Sequence, residues 1–261
     1  ARWMKNDNMH FCVASMNQNL FLYDVNSSET PTTTYNTTYN VHSCSVNCKS
    51  PIIACALQDG FIRLYDLRES VNLHSLDTSH EADVKTVEWS PDSEYLIACG
   101  DTEGNLLLFD IRNAKKPYQY GWWRLKIGDD SDSIAHETSI VGLSFSPNGR
   151  TLYSLDDGGL FRQWNVDSGL STAVEYKLDF TSKRNRRIGF CISDKEDIFV
   201  PVENTILSIA KREKLIGHLK PVTAVAKSAD GIISVALDQY LCVWKKTNDI
   251  HIENDVSDWS D

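Results

Sequence analysis

Two tripeptides place an arginine two residues beyond an aspartate that closes an apolar run: Asp66-Leu67-Arg68 and Asp110-Ile111-Arg112. A guanidinium is a planar, permanently charged head with several fixed donors, suited to carbonyls and carboxylates. On a rim loop it is either a docking contact or a brace for its own aspartate, and the spacing leaves both readings open. Three histidines, His80, His136 and His218, precede alternating apolar runs, and Asp59 and Asp238 each stand six residues before an aromatic, Tyr65 and Trp244. A buried His with a turn Asp and a strand Trp (Trp164, Trp244) makes a satisfied polar set that fixes a turn, a role that needs no proton transfer.

Catalytic motifs do not accompany these residues. The chain carries no His-Glu-x-x-His, no glycine-rich phosphate loop and no Gly-x-Ser-x-Gly elbow, so neither a propeller hydrolase nor another enzyme is expected. Cys44 and Cys48 beside His42 match no zinc spacing and have no evident fourth ligand. No metal and no cofactor is expected.

The elements that must position the Asp-x-Arg pairs repeat along the chain. Strand-like runs end at Tyr23-Asp24, Tyr65-Asp66, Phe109-Asp110, Trp164-Asn165 and Trp244-Lys245, with gaps between aromatics of 42, 44, 55 and 80 residues. A worn copy, Leu207-Ser208-Ile209-Ala210, stands inside the last gap. A period of about 40–45 residues ending in Trp-Asp marks the blades of a WD-repeat propeller. The fold class expected is therefore all-β, a WD-repeat β-propeller with about six blades, over residues 1–247. The third repeat is the clearest. Val84–Trp89 alternates, Ser90-Pro91-Asp92 turns, Tyr95–Cys99 returns and Glu103-Gly104-Asn105 turns into Leu106–Asp110. This grammar puts the His loops and the turns at Asp59, Glu103 and Asp238 on one rim. The Ser-Pro-Asx turns and the residues after each Trp-Asp then fall on the other.

Composition narrows the partners. The net charge of −10 disfavours direct nucleic acid binding, and no apolar run is long enough for a membrane helix. Half of that charge lies in the acidic stretch 248–261, which holds Asp249, Glu253, Asp255, Asp258 and Asp261 without a Lys or Arg and is expected to be disordered. Seven cysteines form no disulfide pattern and suit a reducing compartment. Cys55 and Cys99, each ten residues before its aromatic, share one inward strand position. Between the third and fourth repeats, Tyr120, Trp122, Trp123 and Arg124 form a candidate partner loop, since clustered aromatics beside charge are typical interface anchors; part of this interval must instead be the outer strand of its blade, on which some of these aromatics would simply pack. Lys183, Arg184, Arg186 and Arg187 make a basic cluster, read as a solvated loop.

The Asp-x-Arg pairs are similar to the box carried by WD-repeat substrate receptors of cullin-4 ubiquitin ligases. A more specific resemblance, to the Cockayne syndrome A family, rests on several stretches. They are Leu107-Leu108-Phe109-Asp110-Ile111-Arg112, Ala135-His136 with Val141–Phe145, Phe199-Val200-Pro201 before Thr205-Ile206, and the end Asp258-Trp259-Ser260-Asp261. The resemblance implies a seven-bladed ring, of which this chain has the N-terminal blade incomplete or missing. It also implies a nuclear substrate-recognition subunit acting in transcription-coupled nucleotide excision repair. Its partners would be the damaged-DNA-binding protein 1 adaptor, contacted by Asp66, Arg68, Asp110 and Arg112, and the repair factors and RNA polymerase II machinery. The other reading is a WD-repeat interaction scaffold unrelated to ubiquitin or repair.

Overall fold

The computed structural model describes residues 1–245 apart from 6, 8, 28–29, 69–70, 80, 114–120, 126, 128–133, 181–187, 194–196 and 229–230. His80, Tyr120, the basic cluster and the acidic stretch 248–261 thus lie outside the described residues. Alternating runs bounded by Gly, Asn, Asp and Pro turns fold into six antiparallel sheets, each a meander in chain order.

Sheet 1 holds β1 (Arg2–Trp3), β2 (His10–Ala14), β3 (Asn19–Asp24) and β4 (Thr33–Asn36), with β1 reduced to two residues. Sheet 2 holds β5 (Val41–Val46), β6 (Ile52–Leu57), β7 (Phe61–Asp66) and β8 (Val71–Asp77). In sheet 3, β9 (Val84–Trp89), β10 (Leu96–Asp101) and β11 (Leu106–Asp110) are followed by β12 (Gly121–Arg124). Sheet 4 comprises β13 (Ile140–Phe145), β14 (Thr151–Asp156), β15 (Leu160–Asn165) and β16 (Ser171–Lys177). The worn repeat is sheet 5, with β17 (Cys191–Ile192), β18 (Ile198–Val202), β19 (Thr205–Ser208) and β20 (Glu213–Ile216). Sheet 6 ends the described chain with β21 (Val222–Ser228), β22 (Gly231–Ala236) and β23 (Leu241–Lys245).

One expectation is corrected here. Trp122, Trp123 and Arg124 are not in a loop: they form the outer strand β12, with Trp123 opposite Leu108 and Trp122 opposite Phe109. Aromatic residues are strong strand formers, and the free edge of β11 supplies the ladder they complete.

Because a single meander is apolar on both faces, it is stable only between neighbours. Five buried clusters correspond to the five junctions between consecutive sheets. Cys12 and Leu20 of sheet 1 meet Cys44 and Ile53 of sheet 2, whose Ile62 and Leu64 meet Val87 and Trp89 of sheet 3. Leu106 and Leu108 pack on Leu143 and Trp164. Phe161 of sheet 4 reaches Phe190 and Val200, and Ile206 of sheet 5 reaches Val222 and Val225.

Polar contacts tie the innermost strands together. Val87 N–H and Trp89 N–H donate to Ser43 and Ser45 hydroxyls at 3.3 and 2.8 Å. Gly104, at φ +85°, lies so close to the His136 loop that an added Cβ would stand 2.0 Å from the His136 carbonyl oxygen. That position therefore excludes any side chain.

Among the described residues, the first and last sheets each have one apolar face that no neighbouring sheet covers. On sheet 1, Trp3, Phe11 and Tyr23 line up at 5.4 and 5.2 Å between ring centroids, and Trp3 is 58% exposed. On sheet 6, Leu241 and Val243 stay more than half exposed, while the alternate residue Trp244 packs toward sheet 5.

Candidate docking rim

Each Asp-x-Arg pair starts at the last residue of a third strand, Asp66 of β7 and Asp110 of β11, so the repeat delivers both to the same rim. Their geometries coincide. Asp66 accepts the Arg68 backbone N–H at 2.9 Å, the Arg68 Nε–H at 2.9 Å and a second guanidinium contact from Nη2. Asp110 accepts the same three from Arg112, at 3.0, 3.0 and 2.5 Å. The carboxylates are sunk, with side chains 3% and 16% exposed, whereas the arginines stand out at 68% and 62%.

The arginine hydrogen bonds hold both carboxyls below the usual carboxylate range. Fork-to-carboxylate pairing fixes the direction of a long side chain that would otherwise sample many rotamers. Arg112 is steadied further by the Tyr95 ring, 4.8 Å from its guanidinium carbon. Bracing and display are therefore one arrangement: the Asp orients the Arg toward the outside.

Beside Arg68 a cleft of about 340 Å³ opens at the junction of sheets 1 and 2. Its lining combines apolar Leu22, Val46 and Leu67 with cationic Lys5, Lys49 and Arg68. Asp7, the one acidic residue of the lining, is engaged by His10 Nδ1 at 2.5 Å and by the Met9 N–H at 2.8 Å.

The opposite rim holds the buried polar sets. In sheet 4, Trp164 Nε1–H donates to Ser154 at 2.7 Å, Ser154 lies 2.6 Å from His136 Nε2, and His136 Nδ1 lies 3.2 Å from Asp156. Sheet 6 repeats this with Trp244 to Ser234 at 2.8 Å, Ser234 to His218 at 2.7 Å and His218 to Asp238 at 3.0 Å. A neutral imidazole with its proton on Nδ1 lets the serine and the histidine each donate and accept once, between the indole donor and the carboxylate acceptor. Burial holds His136 below its ordinary value, against the pull of Asp156. Burial also pushes Asp156 upward, but hydrogen bonds from His136 and from the Leu160 N–H outweigh it and leave the carboxyl lowered. The structure thus brings His136 and Trp164 together in sheet 4, and His218, Asp238 and Trp244 in sheet 6. Ser154, Ser234 and Asp156 were missed.

Asp59 departs from expectation. It bonds Arg63 at 2.7 Å instead of a histidine, and Arg63 continues to the Thr37 carbonyl just beyond β4 at 2.5 Å. His42 faces Asp83 and Lys85 at 3.4 Å each. An arginine on the adjacent strand reaches the turn carboxylate first and carries the charge that a neutral imidazole lacks. Cys44 meets Cys12, sulfur to sulfur at 3.7 Å, with both thiols buried. Cys55 and Cys99 are fully inside, and burial pushes both thiols well up. Among the described residues, no group of three or more His, Cys, Asp or Glu could hold a metal ion. No helix among them is long and apolar enough to cross a membrane.

The model of the family "WD domain, G-beta repeat" matches residues 71–110 and 131–165, which fall on sheets 2 to 4. Taken with six meandering sheets and the Trp–Ser–His–Asp sets, this defines a WD-repeat β-propeller. Among curated proteins, the chain is similar to the small ribosomal subunit protein RACK1 of Schizosaccharomyces pombe, 27% identical over 55% of this chain and 43% of that protein. It is similar to the WD repeat-containing protein ATCSA-1 of Arabidopsis thaliana, 21% identical over 100% of this chain and 76% of that one. It is also similar to DDB1- and CUL4-associated factor 13 of Danio rerio, 27% identical over 47% of this chain and 24% of that one. The matched part spans less than half the length of the first and third of these relatives.

Proposed function

We propose that the chain is a non-enzymatic substrate-recognition subunit that docks on the adaptor of a cullin-4 ubiquitin ligase through the Arg68–Arg112 rim. Its place of action would be the nucleus, in transcription-coupled nucleotide excision repair. The observation that carries this reading is the pair of superimposable Asp-x-Arg forks on one rim of consecutive sheets, each a sunk carboxylate beneath an outward guanidinium. Two oriented, permanently charged heads suit a partner surface bearing carboxylates or carbonyl ends. The likeness to a DDB1- and CUL4-associated factor supports the choice of adaptor, and the choice of repair rests on the sequence resemblance to the Cockayne syndrome A family. Repair factors and the RNA polymerase II machinery then belong to the opposite rim.

The test is co-purification of damaged-DNA-binding protein 1 with the full-length protein, comparing wild type with Arg68→Ala/Arg112→Ala. At least tenfold less adaptor should be recovered with the double variant, about 1.4 kcal/mol or more. Undiminished recovery would remove this rim from docking. A second reading, a WD-repeat scaffold outside ubiquitin pathways, is favoured by the likeness to RACK1. It predicts that the adaptor does not co-purify at all.

A further inference from the structure

The cleft beside Arg68 is anomalous in charge. The chain carries −10 overall, yet the opening is lined by Lys5, Lys49 and the outward head of Arg68, which Asp66 also holds, and by a single acid, Asp7, engaged by His10. The same opening presents Leu22, Val46 and Leu67, so it suits an acidic segment that also carries apolar side chains. One stretch of this chain has that composition. Residues 247–261 contain Asp249, Glu253, Asp255, Asp258 and Asp261, interleaved with Ile250, Ile252, Val256 and Trp259, and no Lys or Arg.

Its point of departure is favourable. β23 is the third strand of its sheet, as β7 and β11 are of theirs, so the chain leaves Lys245 on the rim where the cleft opens. Fifteen residues extend to at most about 50 Å, and tethering gives such a segment an effective concentration near millimolar.

We propose that residues 247–261 dock in this cleft of their own chain, with acidic side chains on Lys5, Lys49 and Arg68 and an apolar one against Leu22, Val46 and Leu67. Docked there, the segment covers Arg68 and leaves Arg112 open, so it competes for half of the rim. The contact goes beyond the docking role proposed above and does not depend on it.

Zero-length carbodiimide coupling tests this on the full chain at sub-micromolar concentration, where intermolecular products are negligible. Isopeptide bonds read by mass spectrometry should join a carboxylate of 247–261 to Lys5 or Lys49 in preference to Lys211, Lys214 or Lys220. High salt before coupling should suppress them. An even spread over surface lysines overturns the proposal.

A second measurement leaves the lysine chemistry aside. A labelled 247–261 peptide is titrated against wild type and against a full chain whose five segment acids are changed to Asn or Gln. The neutralised chain should bind at least about fivefold tighter, because its cleft is vacant. Lys5→Glu/Lys49→Glu in that background should abolish the gain, and neither lysine belongs to an Asp-x-Arg fork. Equal binding to both chains, or binding indifferent to the lysine changes, refutes the contact.

Discussion

In sheets 4 and 6 the third-strand Trp gives its N–H to a serine ten residues upstream. In sheets 2 and 3 that aromatic is Tyr65 or Phe109, and the residue ten upstream is Cys55 or Cys99. The two positions change together for a physical reason. A buried indole N–H requires an acceptor, and a buried hydroxyl requires partners of its own. Remove the indole, and a serine would be left underemployed inside the core, where a thiol behaves as a small apolar filler. Sheets 4 and 6 thus hold their turns by hydrogen bonds through the sheet. Sheet 2 holds its turn by Asp59 and Arg63, and sheet 3 by Asp101 accepting from the Asn105 N–H and side chain at 2.8 and 2.7 Å.

Breaking the larger of the two devices should cost most. Ser154→Ala strands the Trp164 N–H and the His136 Nε2 together, and urea denaturation should show a loss of about 3 kcal/mol. Running the exchange backwards sharpens the contrast. Cys55→Ser introduces a hydroxyl where no indole awaits it and should cost about 1–2 kcal/mol by the same measurement. A stability gain there would show that the cysteine is no apolar substitute.

The salt-bridged turn of sheet 2 should show a coupling of about 1 kcal/mol in a double-mutant cycle on Asp59 and Arg63, well below the serine effect. Sheet 4 should also be pH-sensitive. His136 is held below its ordinary value in the folded chain, so the unfolded chain takes up a proton first as pH falls. Stability is therefore full above about pH 6.5 and declines as pH drops from there toward the folded value. His42, also lowered by burial, adds the same sign. Urea midpoints at pH 7.5 and 5.5 should differ less in His136→Asn than in wild type. Smallest of all, Arg112→Ala should change stability by under about 0.5 kcal/mol, since its head is on the outside.

The period and the strand order were readable because both are local: alternation and turn residues recur within each repeat, and the structure reproduces them down to the worn fifth sheet. The polar sets were only half readable. Asp238 stands six residues before its Trp, but Asp156 stands eight before Trp164, so a single offset finds one and loses the other. The serines were recoverable from a signal left unused, their constant spacing of ten from Trp. Asp59 was placed in the polar turn set by its offset of six from Tyr65, and spacing along one strand says nothing of Arg63, whose long side chain meets it and reaches the Thr37 carbonyl just beyond β4. Trp122 and Trp123 were placed in the candidate partner loop because their composition suits an interface, although the interval also had to supply an outer strand. Their backbone instead answers the unpaired edge of β11. The cleft at sheets 1 and 2 draws on residues as far apart as Lys5 and Arg68, a convergence no local pattern contains.

The bare flanks of the first and last sheets set how this molecule comes apart. Among the described residues the inner sheets pack against two neighbours and these two against one, so opening should begin at Trp3 and Leu241 and travel inward. Amide protons of β9 and β13 should then outlast those of β2 and β22 in deuterium.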